Sequence, residues 1–194
     1  MSNTVARKPR LLFLAYYFPP AHTVASVRSS RLAKYLSRLG WEVTVVTPHR
    51  SLWQKADHSW CTPAELESWG VRMLYTGHRW RCLSSGFIKR AYQRGPRWFF
   101  GGLVRRFGRA IGIQEAAGWY PEAARVCSSL EKGDVDVVLA TGSPWGSFEL
   151  ARRLGQRLKC PFVLDYRDLW LQNPYRKRGN RKADRRLEQE LLAE

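Results

Sequence analysis

The fold is decided by the stretch from Arg10 to Pro48, which reads RLLFLAYYFPPAHTVASVRSSRLAKYLSRLGWEVTVVTP. Residues 11–16 form an unbroken apolar run that is too short for a globular helix and predicts a strand buried on both faces. Pro19-Pro20 ends this strand, because proline cannot donate to a sheet ladder. Residues 43–46 are β-branched and apolar and predict a second strand. Two such strands joined by a helix form a right-handed βαβ unit, from which doubly wound sheets are built.

The helix between these strands has its own signals. Ser26 is predicted to cap it through the side-chain hydroxyl. Leu32, Leu36 and Leu39 recur at helical spacing and predict its buried face, and Gly40 suits the left-handed residue that follows a helix. The loop before the helix leaves the carboxyl end of a strand, where helix N–H groups hold anions or polar oxygens. An ordinary strand-to-helix connection has the same pattern, so both interpretations stay open.

Net charge and cysteine spacing limit the partners and the kinds of site that the sequence predicts. The chain has 194 residues, which suits one domain, and its formal net charge of +17 implies an anionic partner. Nucleic acid, an acidic membrane surface and a phosphorylated substrate all meet that requirement. The four cysteines include no CxxC pair and the histidines lack ligand spacing, so we predict no metal site.

A basic, aromatic interval lies in the middle of the chain. No carboxylate occurs between Ser68 and Gln114, and the pattern predicts two amphipathic helices near 85–94 and 97–111, within an insertion over about 79–112. Arginines on one side and aromatic residues on the other are typical of an interfacial membrane binder. A packed helical insertion with a solvated basic face is the alternative. The residues predicted to contact an anionic membrane are Arg90, Arg94, Arg97, Trp98, Phe99, Arg105 and Arg106.

Three loops are expected to meet at one edge of the sheet. Residues 135–140 and 161–164 predict two further strands, so the loops 18–26, 142–146 and 165–170 each follow a strand at its carboxyl end. Such an edge is where open α/β sheets bind ligands. The predicted substrate-binding residues are Pro20, Ser26, Arg28, Gly142, Ser143, Arg167 and Asp168.

Arg167 and Asp168 carry the charge of this predicted site. A guanidinium offers a planar fork to a phosphate or carboxylate. Asp165 and Asp168 come just after the predicted strand, where acids accept hydrogen bonds from a ligand hydroxyl or from backbone N–H groups. For Asp168 the alternative is a pair with Arg167. No residue is identified as a catalytic base.

Asp134-Val135-Asp136 has the form of a DxD metal motif. It precedes its strand, however, and therefore lies at the amino edge of the sheet, opposite the expected site. We interpret it as a turn and the start of a strand.

Taken together, these segments resemble family 4 glycosyltransferases of the GT-B fold. LLFLAYYFPP followed by SVRSSRLAKYLSRLGWEVTVVTP is similar to the family's opening, and VDVVLATGSPWGSFELARRLGQRLKCPFVLDYRDLW is similar to the second half of the same N-terminal domain. The most specific feature is the order FPP, SVR, TGSP and DYRDLW along the chain. Two departures are Thr23-Val24-Ala25 where many members have glycines, and Arg167 where many have histidine.

The resemblance implies a retaining glycosyltransferase that transfers a sugar from a nucleotide-sugar donor to a glycan or lipid-linked acceptor, without a metal or other cofactor. It implies a Rossmann-like, doubly wound parallel sheet over residues 10–194, after a flexible segment 1–9. This half binds the acceptor, and we expect the donor-binding domain to be absent from a truncated chain. Surface polysaccharide or glycolipid synthesis, at the cytoplasmic face of the cell membrane, is the expected setting. The alternative is a single-stranded nucleic-acid-binding or lipid-surface module without catalysis.

Overall fold

The computed structural model describes residues 7–53, 61–79, 116, 118–167, 170 and 181–194. The predicted insertion over 79–112 lies outside these residues except for its first position, as do the predicted membrane-contact residues, Asp168 and residues 1–6. Along the described chain the elements are β1 Arg10–Leu14, α1 Val24–Arg38, β2 Glu42–Pro48, a 3₁₀ turn Arg50–Leu52, α2 Pro63–Ser68, β3 Arg72–Thr76, α3 Tyr120–Val126, β4 Val137–Gly142, α4 Gly146–Leu158, β5 Phe162–Tyr166 and α5 Arg181–Ala193.

The described strands form one parallel sheet in the order β3-β2-β1-β4-β5. This is a Rossmann-like α/β arrangement, and the predicted fold class is confirmed. The strand order reverses at β1, since β2 and β3 lie on one side of it and β4 and β5 on the other. The crevice outside the carboxyl ends of β1 and β4 is therefore the switch point at which such sheets bind ligands.

The central strand β1 separates two apolar cores. Leu11 and Phe13 face a core that includes residues of α1 and α2. Leu12 and Leu14 face the opposite core, which α3, α4 and α5 complete. Helices therefore cover both faces of the sheet, which explains why residues 11–16 carry no polar side chain on either face apart from the tyrosine hydroxyl at the end.

The N-terminus of α1 corrects one prediction. Ser26 is not the cap: Thr23 has an extended backbone, and its side chain accepts a hydrogen bond from the Ser26 N–H at 3.1 Å. Ser26 itself lies inside the helix and is fully buried. At the other end, Gly40 has a positive φ of 90°, as predicted for the residue after a helix.

The buried face of α1 corrects a second prediction. Leu39 lies at the C-terminal cap and is 76% exposed, and Leu32 and Leu36 are only partly buried. The buried positions are instead small: Ala25, Ser26, Ser29, Ser30 and Ala33. Small side chains allow the helix backbone to approach the sheet closely, and the Ser29 hydroxyl donates to the Ala25 carbonyl at 2.9 Å.

The DxD segment lies at the amino edge of the sheet, as predicted. The Asp136 carboxylate accepts a hydrogen bond from the Arg10 N–H at 2.7 Å and pairs with the Arg7 side chain. The Asp134 carboxylate accepts from the Glu131 N–H at 2.8 Å. Both acidic groups therefore order the turn before β4.

Candidate functional site

A charged pair joins α1 to the carboxyl end of the sheet. Arg28 donates to Asp165 through Nε at 3.2 Å and through Nη2 at 2.5 Å, so that the contact is bidentate. The Thr141 hydroxyl donates to the same carboxylate at 3.1 Å. Thr141 and Asp165 face each other in the β4–β5 register. Elements that are far apart in the sequence therefore share one polar cluster at this edge.

The two members of the pair differ in exposure. The Asp165 side chain is 17% exposed, whereas the Arg28 side chain is 52% exposed. The carboxylate is thus largely shielded from water, and the guanidinium covers it from the solvent side. A hydrogen-bonded pair of this kind is stronger than a fully exposed one, because solvent screens it less.

The loop after β4 is held by side-chain contacts inside the protein. The Ser147 hydroxyl lies 3.0 Å from the Thr141 carbonyl oxygen and 2.8 Å from the Pro144 carbonyl oxygen. The Gly146 N–H donates to the Tyr120 hydroxyl at 3.1 Å. Burial raises the pKa of the Tyr120 phenol, which stays protonated at neutral pH. The first amides of α4 are consequently engaged within the protein.

Both glycines of this loop are required by neighbouring rings. A Cβ on Gly142 would lie 2.4 Å from Cζ3 of Trp145 and 2.8 Å from Cζ of Phe148. A Cβ on Gly146 would lie 2.4 Å from the Tyr120 ring. Any other residue at either position would displace one of these rings.

Aromatic contacts join the segments that follow β1, β4 and β5. Trp170, which follows β5, stacks on Trp145 with ring centroids 5.4 Å apart and planes inclined by 10°. Tyr16, just after β1, contacts Trp119 at 5.5 Å, and Trp119 contacts Tyr120 at 5.6 Å. Because Tyr120 bonds the start of α4, the loops after β1, β4 and β5 form one connected edge, as predicted.

A comparison with protein families decides the class. A model of the family described as "Glycosyl transferase 4-like domain" matches residues 25–194. The chain belongs to this glycosyl transferase 4-like family. No curated protein matches the sequence.

Membership of this family indicates which kinds of substrate the domain handles. The domain is of a glycosyltransferase type, whose substrates are a sugar donor and an acceptor. Among the described residues, no group of three or more His, Cys, Asp and Glu side chains is placed to hold a metal ion. Within the same residues, no helix has the length and apolar character needed to cross a bilayer.

The predicted substrate-binding residues of this transferase domain differ in their location and burial in the structure. Arg28 belongs to the polar cluster, and Arg167 lies directly after β5, half-buried and with interactions of its own. The Ser26 hydroxyl is buried and has no hydrogen-bond partner among the described residues. The remaining described positions on the three loops are Pro20 and Gly142, which are buried, and Ser143, which is half-buried.

Sequence reasoning misses Thr141 as a member of the site. It places Asp165 in the loop after the predicted strand, but the residue belongs to β5 itself and accepts hydrogen bonds from Arg28 and Thr141. The available signal is an acidic residue directly after the apolar segment 161–164, at the carboxyl edge of the sheet, where a shielded charge needs a partner nearby. Nothing local indicates that the partner is Arg28, which is 137 residues away in the sequence.

Proposed function

We propose that this domain is the acceptor-binding half of a retaining glycosyltransferase. The enzyme transfers a sugar from a nucleotide-sugar donor to a glycan or lipid-linked acceptor, in surface polysaccharide or glycolipid synthesis at the cytoplasmic face of the cell membrane. The observation that carries the proposal is the Arg28, Asp165 and Thr141 cluster at the carboxyl edge of a glycosyl transferase 4-like domain.

The cluster has the chemistry that an acceptor hydroxyl requires. An ionised carboxylate offers about four acceptor positions, and Asp165 uses three of them for Arg28 and Thr141. The remaining position is the one to which, in this proposal, a hydroxyl of the acceptor donates. The bidentate contact with Arg28 holds the carboxylate in one orientation, so the group that would bind the acceptor is already in place.

The experiment uses the protein at its natural length. It is incubated with a panel of labelled nucleotide sugars and a membrane fraction from its source cells, and label is measured in lipid-extractable and polymeric products. We expect incorporation from one donor, with the anomeric configuration of that donor retained in the product. Incorporation from no donor would refute the transferase, and an inverted product would refute the retaining mechanism.

The net charge supports a second part of the proposal, which is peripheral contact with an anionic membrane. The chain carries 33 basic and 16 acidic residues, and anionic lipid contributes on the order of 1 kcal/mol per nearby cationic residue. We expect flotation with vesicles that contain anionic lipid and none with neutral vesicles, with binding that weakens as salt rises. Equal recovery with both vesicles would remove membrane contact. Oligonucleotide that competes fully with the vesicles would favour the nucleic-acid alternative.

A further inference from the structure

A pocket of about 300 Å³ lies along β3 and reaches the loop that follows β1 at the carboxyl edge of the sheet. We call it the β3 pocket. It is bounded by Pro19 and Pro20 after β1, by α2, and by one side of β3. The Arg28 cluster is built instead on β4 and β5, across the switch point.

The β3 pocket has an apolar floor and a polar rim. Leu66 and Val71 are buried and Met73 is half-buried, so these three side chains form the floor. Arg50 and Glu67 are exposed and bring one cation and one anion to the rim.

Tyr75 adds an aromatic wall to the rim. Its side chain is 45% exposed, and the His49 ring packs edge-on against it at 5.6 Å. The contact with His49 restricts the ring, which leaves a fixed aromatic surface beside the two charges.

This combination selects an uncharged ligand that has many hydroxyls and an apolar face. A guanidinium donates to hydroxyl oxygens and a carboxylate accepts from hydroxyl groups, while C–H groups pack on the tyrosine ring. A phosphate would meet the Glu67 carboxylate, and the volume is at the lower end of the roughly 300–1,000 Å³ of small-molecule sites. A single sugar ring meets each of these requirements.

We propose that the β3 pocket binds one pyranose ring of the acceptor, at a distance from the Arg28 cluster. The proposal rests on the proposed function, and it specifies the acceptor as a glycan of more than one sugar. Adjacent strands lie about 4.8 Å apart, so three to four strand spacings, roughly 14–19 Å, separate Tyr75 on β3, against which the ring would pack, from Thr141 on β4 and Asp165 on β5. One sugar ring does not span that distance.

A methionine inside the pocket makes the test direct. The chain has two methionines, Met1 and Met73, and Met73 lines the pocket. With ¹³C-labelled methionine methyl groups, the Met73 signal reports occupancy, and a Met73→Leu variant assigns it. The probes are methyl glycosides of hexoses and N-acetylhexosamines, octyl glucoside below its micellar concentration, and inorganic phosphate.

We expect at least one methyl glycoside to shift the Met73 signal in a saturable manner. Tyr75→Ala should weaken this binding by about two- to tenfold, since an aromatic contact contributes about 0.5–1.5 kcal/mol. Glu67→Gln should also weaken it. The matched control is Tyr35→Ala, because Tyr35 is a comparably exposed tyrosine on α1.

Three results would overturn the pocket assignment. The first is that no glycoside shifts the Met73 signal. The second is that the signal responds to octyl glucoside or phosphate but to no methyl glycoside. The third is that the Tyr75→Ala and Tyr35→Ala variants bind the glycoside with equal affinity. None of them bears on sugar transfer by the natural-length enzyme. A Met73 response without any transfer would instead refute the proposed function and leave the pocket as a sugar site.

Discussion

Replacing Gly142 with alanine tests whether packed rings hold the loop after β4. The added methyl would lie 2.4 and 2.5 Å from two atoms of the Trp145 ring and 2.8 Å from Phe148. Carbon atoms pack at about 3.5–4.0 Å, so the Trp145 ring must move by roughly 1 Å. Overpacking of this size costs about 1–3 kcal/mol of the free energy of unfolding.

The displacement should also reach the neighbouring loop. Trp145 is buried and stacks on Trp170, which follows β5. Chemical unfolding, followed by tryptophan fluorescence and near-UV circular dichroism, measures both the loss of stability and the altered stacking. A Trp145→Phe substitution added to Gly142→Ala should recover part of the loss, because the clashing atoms belong to the outer ring of the indole.

Gly77→Ala is the matched control for this experiment. Its added methyl would lie 3.6 Å from the nearest atom, an ordinary van der Waals contact, and its φ is not positive. We expect its free energy of unfolding to stay within about 0.5 kcal/mol of the wild type. Equal stability of the Gly142 and Gly77 variants would refute the packing argument.

Two other predictions concern the charged pair and a buried thiol. A double-mutant cycle with Arg28→Met and Asp165→Asn should give a coupling of about 1 kcal/mol in the free energy of unfolding, and a value near zero would show that the pair is not formed in solution. Burial raises the pKa of the Cys127 thiol from 9.0 to about 11, so its contribution to stability is complete below pH 9 and is lost as pH rises toward 11. Between about pH 8 and pH 11 the free energy of unfolding of the wild type should therefore fall by up to about 2 kcal/mol more than that of Cys127→Ala. An equal fall in the two proteins would show that the thiol does not contribute to the pH dependence.

Much of the sheet was predictable because its strands are marked by local composition. Residues 11–16 are apolar apart from the Tyr16 hydroxyl and residues 43–46 are all β-branched, so both segments favour a buried strand, and the structure has β1 at Arg10–Leu14 and β2 at Glu42–Pro48. The face of α1 was not predictable from leucine spacing. Close approach to the sheet selected alanine and serine, and the Ser29 and Ser30 hydroxyls bond to carbonyls of their own helix, which removes the cost of burying them.

The position of the candidate site could be predicted from the sequence, but the side-chain contacts within it could not. Parallel strands bring their carboxyl ends to one edge, so the three loops could be assigned to it in advance. The bond between Arg28 and Asp165 depends on the tertiary position of the N-terminal turns of α1 beside the carboxyl end of β5. The link through Trp119 and Tyr120 likewise appears only when α3 packs beside α4, since neither ring belongs to a predicted loop.

Sugar transfer by the natural-length protein carrying Asp165→Asn tests the central claim most directly. Asparagine keeps the size of the side chain and an oxygen for Thr141 but loses the charge that pairs with Arg28. The control is Glu131→Gln, which removes an exposed carboxylate at the opposite edge of the sheet. We predict that Asp165→Asn lowers the rate by about 10- to 100-fold, equivalent to about 1.4–2.7 kcal/mol, while the control keeps the wild-type rate. Equal rates in the two variants, with both proteins folded, would contradict an acceptor site at the Arg28 cluster.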